Sequence, residues 1–366
     1  MHDFVYLGRS RLLRSRANLI QTLNTVAALG QQGRQVELWL PSWPAEVNLQ
    51  ERLKKYGIDA SLPLRGSFWL HPRWHYWPFV LLKGRLLRSA RVVYTRVPEI
   101  SQVLSICGIP HHLEIHHVEK LAQRGLLPQL LRRHREGVLR TLLPISQSGA
   151  AYLIDRGALP SRVHVAPSGV NIDAFAAVRP LDPDHLARPR IVHLGRLSGE
   201  RGLEIFKFIA AQNVCDMTIV GGDESVPGAE NIAPVPLSQV PLWYDQADCV
   251  LLPYQPEIPT IATMSPIKLF EALAAGRPII ASDLPTIREV LEHEKTGLLV
   301  PPRDCAAWLA AIQRLQRDRG LAVRLAEEAK RLSRFYSWEM RAKRICAAVD
   351  SSFLSKVWPP SNGTVQ

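Results

Sequence analysis

Residues 265–300 decide the fold, and they read SPIKLFEALAAGRPIIASDLPTIREVLEHEKTGLLV. The pattern predicts a helix, a buried strand and a second helix. Ser265 is a favourable N-cap and Pro266 suits a first helical turn. Gly276 is typical of a helix end, and the apolar run 279–281 predicts the buried strand.

The first helix of this stretch carries a cation and a carboxylate near its N-terminus. Lys268 and Glu271 are three positions apart, so they share a helix face beside the positive end of the helix dipole. Free backbone N–H groups near Ile267 and Lys268 suit a phosphate. The carboxylate of Glu271 suits the hydroxyls of a ribose. The pattern therefore favours a nucleotide-sugar site.

A second motif follows the apolar strand 191–194 and reads GRLSGERG over residues 195–202. Its two guanidinium groups, Arg196 and Arg201, supply fixed positive charge of the kind that neutralises a diphosphate. Gly195 opens the loop. Together with the helix start at Ser265, this loop indicates phosphate binding.

Both stretches resemble the donor site of retaining glycosyltransferases of family 4, which have the GT-B fold. The usual signature of that family is two glutamates eight positions apart. Glu271 matches the second, the ribose binder, whereas the first falls on Thr263, so that half of the signature is missing. The S-P-x-K-x-F-E form is similar to a recurrent variant within the family.

The resemblance implies an α/β fold of two Rossmann-like parallel-sheet domains that face across a cleft. The expected divisions are an acceptor-side domain (1–178), a linker (179–189), a nucleotide-sugar domain (190–336), a helix crossing back to the first domain (337–354) and a tail (355–366). The run Phe4–Leu7, a helix over 17–29 and the strand 36–40 form a βαβ opening, which independently predicts a parallel sheet.

The resemblance also implies roles for individual residues. Arg196 and Arg201 would hold the diphosphate of a UDP- or GDP-sugar, and His116, with His117 as the alternative, would orient the sugar or stabilise the oxocarbenium-like state. Reaction would proceed with retention at the anomeric carbon and without metal or cofactor. The expected donor contacts are Gly8, Gly195, Thr263, Ser265, Ile267, Lys268 and Glu271.

Two patterns imitate metal sites. The histidines at 111, 112, 116 and 117 occupy a predicted strand, where adjacent side chains point to opposite faces and ligands are scattered. Asp182 and Asp184 spell a D-x-D pattern, yet they lie in the predicted linker rather than at a strand end. Neither pattern predicts a metal site.

The charge of the chain is uneven, since residues 1–180 carry 24 Lys and Arg against 11 Asp and Glu. A basic half favours an anionic partner, either a membrane surface or nucleic acid. Residues 68–91 mix aromatic rings with cations, as an interfacial membrane contact does, although such rings also fill cores. Residues 123–140 form a second basic stretch, with leucines at helical spacing.

The chain is long enough for two domains, and no window reaches the length of a transmembrane helix. Five scattered cysteines without C-x-x-C spacing favour a reducing compartment. The expected location is cytoplasmic, with possible peripheral membrane contact.

The expected acceptor is a glycan, a lipid-linked saccharide or a small molecule. Three alternatives remain: another reaction on the same fold, a non-catalytic membrane-associated module, and a basic nucleic-acid-binding protein.

Overall fold

The computed structural model describes residues 3–14, 16–58 and 62–350, in which strands and helices alternate. The strands are β1 Phe4–Leu7, β2 Val36–Pro41, β3 Leu64–Ser67, β4 Val92–Thr95, β5 His111–Ile115, β6 Leu139–Pro144, β7 Arg190–Leu194, β8 Asp216–Val220, β9 Glu230–Ile232, β10 Val250–Leu252, β11 Ile279–Ser282 and β12 Leu298–Val300. The α-helices are α1 Ala17–Gln31, α2 Leu49–Lys54, α3 Trp77–Leu82, α4 Gly84–Ser89, α5 Pro98–Ile106, α6 Val118–Gln123, α7 Leu127–Arg135, α8 Gln147–Asp155, α9 Leu203–Ala211, α10 Val240–Gln246, α11 Ile267–Ala275, α12 Pro285–Arg288, α13 Cys305–Arg317, α14 Arg319–Ser333 and α15 Trp338–Val349.

The chain divides into two compact units. The first unit comprises the described residues up to 169, the short segment 263–265 and residues 338–350. The second unit comprises residues 170–262 and 266–337. Helix α15 therefore belongs to the first unit, although it follows the second unit in sequence.

The first unit is built on a six-stranded parallel sheet in the order β3-β2-β1-β4-β5-β6. Val5 of β1 pairs with Glu37 on one side and with Val93 on the other. All residues of β1 and β4 are buried. Strands that are apolar along their whole length are typical of a parallel sheet covered on both faces, which is how α/β units bury their core.

Helices cover this sheet through apolar side chains. One core cluster joins Val5 and Val93 to Phe79 of α3 and Ile100 of α5. A second cluster joins strands β5 and β6 to α6 and α7 through Leu113, Leu121, Leu130 and Leu142. The leucines of the basic stretch 123–140 are thus part of the core, while its cations point outward.

A buried ion pair attaches α15 to the sheet of the first unit. Arg341 of α15 lies 2.7 Å from the carboxylate of Glu114 in β5, and both side chains are almost fully buried. The same guanidinium donates to Thr25 Oγ1 and to Pro167 O, at 3.2 and 2.6 Å. Tyr94 OH donates to Glu114 at 2.7 Å. Because nearly every donor and acceptor is satisfied, the burial of these two charges is compensated.

The second unit contains two three-stranded parallel sheets, in the orders β7-β8-β9 and β10-β11-β12. A bridge between Ile191 and Cys249 connects them. Phe206 of α9, Trp308 of α13 and Leu325 of α14 fill the core against these strands. The second unit thus repeats the strand–loop–helix pattern of the first.

Helix α11 begins differently from the sequence prediction. Its N-cap is Pro266, which makes no side-chain cap. Ser265 Oγ instead accepts a hydrogen bond from the backbone N–H of Ser168 at 3.0 Å. The prediction of Ser265 as N-cap was therefore wrong, because a partner distant in sequence takes the hydroxyl. The helix ends as predicted at Gly276, whose left-handed φ of 61° lets the chain turn.

Some segments are only partly regular. Residues 163–167 contribute a single bridge, between Val163 and Leu142. A 3₁₀ turn, Leu237–Gln239, precedes α10. The predicted tail, 355–366, and the end of the predicted last helix lie outside the described residues. Within the described ranges, every helix is too short or too polar to span a bilayer.

Replacing Arg341 tests the buried ion pair. Arg341→Met leaves the Glu114 carboxylate buried without its cation, so we expect a loss of about 3–5 kcal/mol of unfolding free energy. The matched control is Arg331→Met, because Arg331 pairs with carboxylates at the surface. That change should cost less than about 1 kcal/mol. Denaturant unfolding of the variants checks both values, and equal losses would contradict the role of burial.

Buried His112 predicts an acid-dependent loss of stability. Burial lowers the pKa of His112 to about 3, whereas the unfolded chain binds that proton near pH 6.5. Stability should therefore fall as the pH drops from about 6.5 toward 3, by up to about 1.4 kcal/mol per pH unit for this group. Unfolding of His112→Leu at pH 7 and pH 5 should show a shallower decline than the wild type. Parallel declines would refute the assignment.

Candidate functional site

The candidate site of the second unit lies at the carboxyl ends of its parallel strands, where ligands bind in open α/β sheets. Strand β7 leads into the loop 195–202, and β10 leads into Pro253. A pocket between these strand ends and the start of α11 brings together three predicted cations, Arg196, Arg201 and Lys268. Its other polar or aromatic lining residues are His193, Tyr244 and Tyr254.

Glycine is required where the 195–202 loop approaches the end of β10. Gly202 has a φ of 81°, a conformation that side chains rarely adopt. A Cβ atom there would lie 2.3 Å from Cγ of Pro253. The close approach holds Arg201, the preceding residue, beside the pocket. Gly195, with a φ of 103°, continues the strand pairing by donating to Val220 O at 2.8 Å.

The two arginines of the loop are available to an anion. Arg196 Nε lies 3.2 Å from Asp223, and both side chains are about 70% exposed. Such an exposed ion pair contributes little stability, so Arg196 can leave Asp223 and bind another anion. Arg201 is also exposed, and no carboxylate of the described residues lies within ion-pair distance of it.

His193 in β7 lies in the same pocket, although no sequence motif predicts a site role for it. Its ring packs on Phe206 with the centroids 4.9 Å apart. Burial, together with the charges of Lys268 and Arg201, lowers the pKa of His193 to about 4. The imidazole is therefore neutral at pH 7. The sequence signal for His193 is its position as a polar residue between the apolar residues of β7.

Lys268 and Glu271 meet on α11, as their spacing predicts. Lys268 Nζ lies 3.0 Å from Glu271 Oε2. Tyr244 OH donates to the same oxygen and to Lys268 O, each at 3.3 Å. Burial, then the Glu271 charge, raises the pKa of Tyr244 well above its usual value. Tyr244 therefore stays a donor and fixes Glu271, a role that the helix pattern around it does not signal.

The first unit has its own cavity, of about 160 Å³, at the carboxyl ends of β1, β4 and β5. Two predicted site residues, Gly8 and His116, line it together. Gly8 N–H donates to Trp39 O at 2.9 Å, which fixes the loop after β1. The cavity is cationic, since its lining also includes Arg9, Arg96, Lys120 and Arg124.

His116 is held by the carboxylate that also pairs with Arg341. Its Nε2 contacts Glu114, so the hydrogen on that nitrogen points at the carboxylate and Nδ1 is left as an acceptor. Burial lowers the pKa of His116 to about 3. The Arg341 charge and His116 hold the pKa of Glu114 well below its usual range. The site thus presents a neutral imidazole beside an ionised, compensated carboxylate.

Thr263 and Ser265 lie in the first unit rather than with α11. Thr263 Oγ1 lies 2.8 Å from both carboxylate oxygens of Glu119 in α6. Ser146 Oγ donates to Thr263 O at 3.0 Å. The family signature has its first glutamate at the position of Thr263. In this chain the carboxylate of Glu119, which is distant in sequence, contacts that position.

The predicted site residues thus form three groups. Arg196, Arg201 and Lys268 share the second-unit pocket, and Glu271 is joined to it through Lys268. Gly195 and Ile267 do not line the pocket but are the sequence neighbours of Arg196 and Lys268. Gly8 and His116 share the first-unit cavity. Thr263 and Ser265 form a third group with Glu119 and Ser168.

Comparison with known proteins agrees with this geometry. The family model "Glycosyl transferases group 1" matches residues 188–318. That range contains the GRLSGERG loop and the Lys268–Glu271 helix, the two stretches on which the resemblance rests.

Relatives align over part of their length. The chain is 30% identical over 211 residues to the amylovoran biosynthesis glycosyltransferase AmsK of Erwinia amylovora, covering 52% of this chain and 51% of AmsK. It is 26% identical over 278 residues to a D-inositol 3-phosphate glycosyltransferase of Pseudarthrobacter chlorophenolicus, covering 66% and 65% of the two chains. In both cases the chain spans less than two thirds of the relative.

Solved structures decide the fold. Anabaena HepE in complex with UDP superposes with a TM-score of 0.72 at 14% identity, covering 95% of this chain and 100% of HepE. The fold is GT-B. The predicted class of two Rossmann-like parallel-sheet domains is confirmed.

Substituting Gly202 tests how strictly the loop is held. Gly202→Ala places a Cβ against Pro253 in a left-handed conformation, so we expect a loss of about 1–3 kcal/mol of stability. The matched control is Gly199→Ala, where a Cβ would meet nothing within 4 Å. Thermal unfolding should show a midpoint lower by several degrees for Gly202→Ala only. Similar midpoints for both variants would contradict the close approach.

Proposed function

We propose that the chain is a retaining glycosyltransferase that moves a sugar from a nucleotide diphosphate sugar to an acceptor hydroxyl. The observation that carries this proposal is the convergence of Arg196, Arg201 and Lys268 in one pocket at the strand ends of the second unit. Three cations in such a pocket suit the diphosphate of a UDP- or GDP-sugar.

Each part of the donor has a partner in the second unit. The diphosphate lies against Arg196 and Arg201 and receives N–H groups from the start of α11, at Ile267 and Lys268. Glu271, oriented by Tyr244, accepts from the ribose hydroxyls. Lys268 lies between the carboxylate and the phosphates. Gly195 lets the loop backbone approach the donor. HepE, which shares the fold, was solved in complex with UDP, and this supports a uridine donor.

The reaction needs stabilisation of a leaving diphosphate more than a covalent nucleophile. The bond between the anomeric carbon and the diphosphate oxygen breaks, and its electron pair stays on the diphosphate. The acceptor oxygen bonds to the same face of that carbon, and its proton ends on the diphosphate. Positive charge of Arg196 and Arg201 stabilises the departing group as it develops. Since the chain supplies these cations itself, we propose that the reaction requires no metal or cofactor.

The first unit has contacts for sugar hydroxyls within its own cavity. Gly8 and His116 line a cavity at the carboxyl ends of the strands, and the neutral His116 accepts a hydrogen bond through Nδ1. Glu114, whose charge is compensated by Arg341, holds the His116 ring in this orientation. Thr263 and Ser265 hold the chain where it enters α11. The name of AmsK, an amylovoran biosynthesis glycosyltransferase, supports a glycan acceptor, and we propose an acceptor in cell-surface glycan, lipopolysaccharide or glycolipid synthesis. We place the reaction in the cytoplasm.

Donor kinetics test the proposal. Glu271→Ala removes the ribose contact and should raise the donor KM by about 10–100-fold, whereas Arg196→Ala should mainly lower kcat by a similar factor. Release of UDP or GDP from a panel of nucleotide sugars gives both constants. The anomeric configuration of the product, read by NMR, reports retention.

Surface variants provide the controls. Glu327→Ala and Arg317→Ala change the same residue types on α14 and α13, away from the pocket. Both should keep wild-type constants. Unchanged donor kinetics in Glu271→Ala and Arg196→Ala together would exclude the assignment, and an inverted product would exclude retention alone.

A further inference from the structure

The first unit exposes an unusual amount of apolar surface between residues 68 and 82. Leu81 and Leu82 of α3 are 67% and 66% exposed, and Phe68, Trp74 and Trp77 are 36–46% exposed. Large apolar side chains grouped in this way on a protein surface mark an interaction site. Residues 68–85 are called here the aromatic–basic segment.

The aromatic rings of this segment form a preorganised cluster. Phe68, Trp69 and Trp74 contact one another with ring centroids 5.2–5.5 Å apart. The guanidinium of Arg73 lies 4.8 Å from the Phe68 ring and 5.0 Å from the Trp74 ring. The cluster therefore presents apolar faces and a cation together, without a rearrangement.

Helix α3 exposes apolar residues that do not pack in the core of the first unit. Phe79 and Val80 point inward and are buried, while Trp77, Leu81 and Leu82 point outward. The turn before the helix places His75 and Tyr76 in the left-handed conformation, at φ of 49° and 66°. Left-handed non-glycine residues carry strain and persist only where surrounding structure enforces them. The buried Tyr76 fixes the turn, so that the outward face is held in place.

The charge around this surface is mainly positive. Residues 60–98 contain seven Lys and Arg and no Asp or Glu. Arg65 and Arg91 pair with Glu37 and Asp350, and both of these cations lie outside the aromatic–basic segment. Lys83 lies 5.2 Å from the Trp39 ring, and Arg88 donates to Cys107 O, so neither contact neutralises its charge. Arg11 Nη2 lies 2.5 Å from His71 Nε2, which brings a further cation to the segment from the loop after β1.

We propose that the aromatic–basic segment docks on an anionic lipid bilayer, with Trp77, Leu81 and Leu82 in the interfacial region. Apolar and aromatic side chains beside Lys and Arg, without carboxylates, match the boundary between acyl chains and anionic headgroups. A nucleic acid would pair with the cations but would leave the exposed leucines facing water or phosphate. The observations therefore favour the bilayer.

Vesicle binding by the full chain tests the docking. The probes are vesicles of phosphatidylcholine alone and vesicles in which one third of it is replaced by phosphatidylglycerol. We expect binding to the anionic vesicles only, weakened by salt. The double variant Leu81→Ser with Leu82→Ser should lower partitioning on the order of tenfold. Lys83→Glu with Arg85→Glu should lower it by more, because each cation near the surface contributes about fivefold.

A matched double variant controls for the loss of exposed apolar surface. Leu242→Ser with Ile106→Ser changes two side chains that are 62% and 51% exposed elsewhere. It should bind vesicles as the wild type does, and all variants should unfold near the wild-type temperature. Absent vesicle binding, equal binding to neutral vesicles, or an equal loss in the Leu242 control would overturn the proposal. So would binding to duplex DNA that competes with the vesicles and ignores the Leu81 and Leu82 changes.

Discussion

The buried pair of Arg341 and Glu114 is the interaction on which the first unit depends. The arginine comes from the last described helix and the carboxylate from the fifth strand, so the pair joins residues more than two hundred positions apart. The same carboxylate also orients His116. The Glu114 carboxylate therefore contributes both to the packing of α15 and to the orientation of a candidate site residue. Removing the cation would change both the attachment of α15 and the electrostatic setting of the imidazole, because a buried carboxylate requires compensation.

Both units place their polar side chains where parallel strands end. In the first unit the loops after β1, β4 and β5 supply a glycine, several cations and a histidine. In the second, the loops after β7 and β10 and the start of α11 supply two arginines, a lysine and a glutamate. The topology explains this arrangement, since the carboxyl ends of parallel strands meet at one edge and the helices that follow present free N–H groups there.

The elements set by local pattern could be predicted from the sequence. Apolar runs located the central strands, and helical spacing placed Lys268 beside Glu271. Contacts between distant segments could not be predicted, because periodicity carries no information about tertiary partners. Ser265 looked like a helix cap, yet the backbone of Ser168 binds its hydroxyl. No sequence pattern marks Tyr244 as a site residue, and only the fold shows that it contacts Glu271.

The contact between Thr263 and Glu119 has a consequence for how such chains are compared. In a sequence alignment, residue 263 is a threonine where the family signature has its first glutamate. The alignment alone would therefore indicate that the carboxylate of this position is lost. In space, α6 delivers a carboxylate to the threonine hydroxyl. A carboxylate thus lies beside position 263 although the residue at that position is not acidic. Residues 119 and 263 should therefore be compared together, as a pair, when homologous chains are aligned.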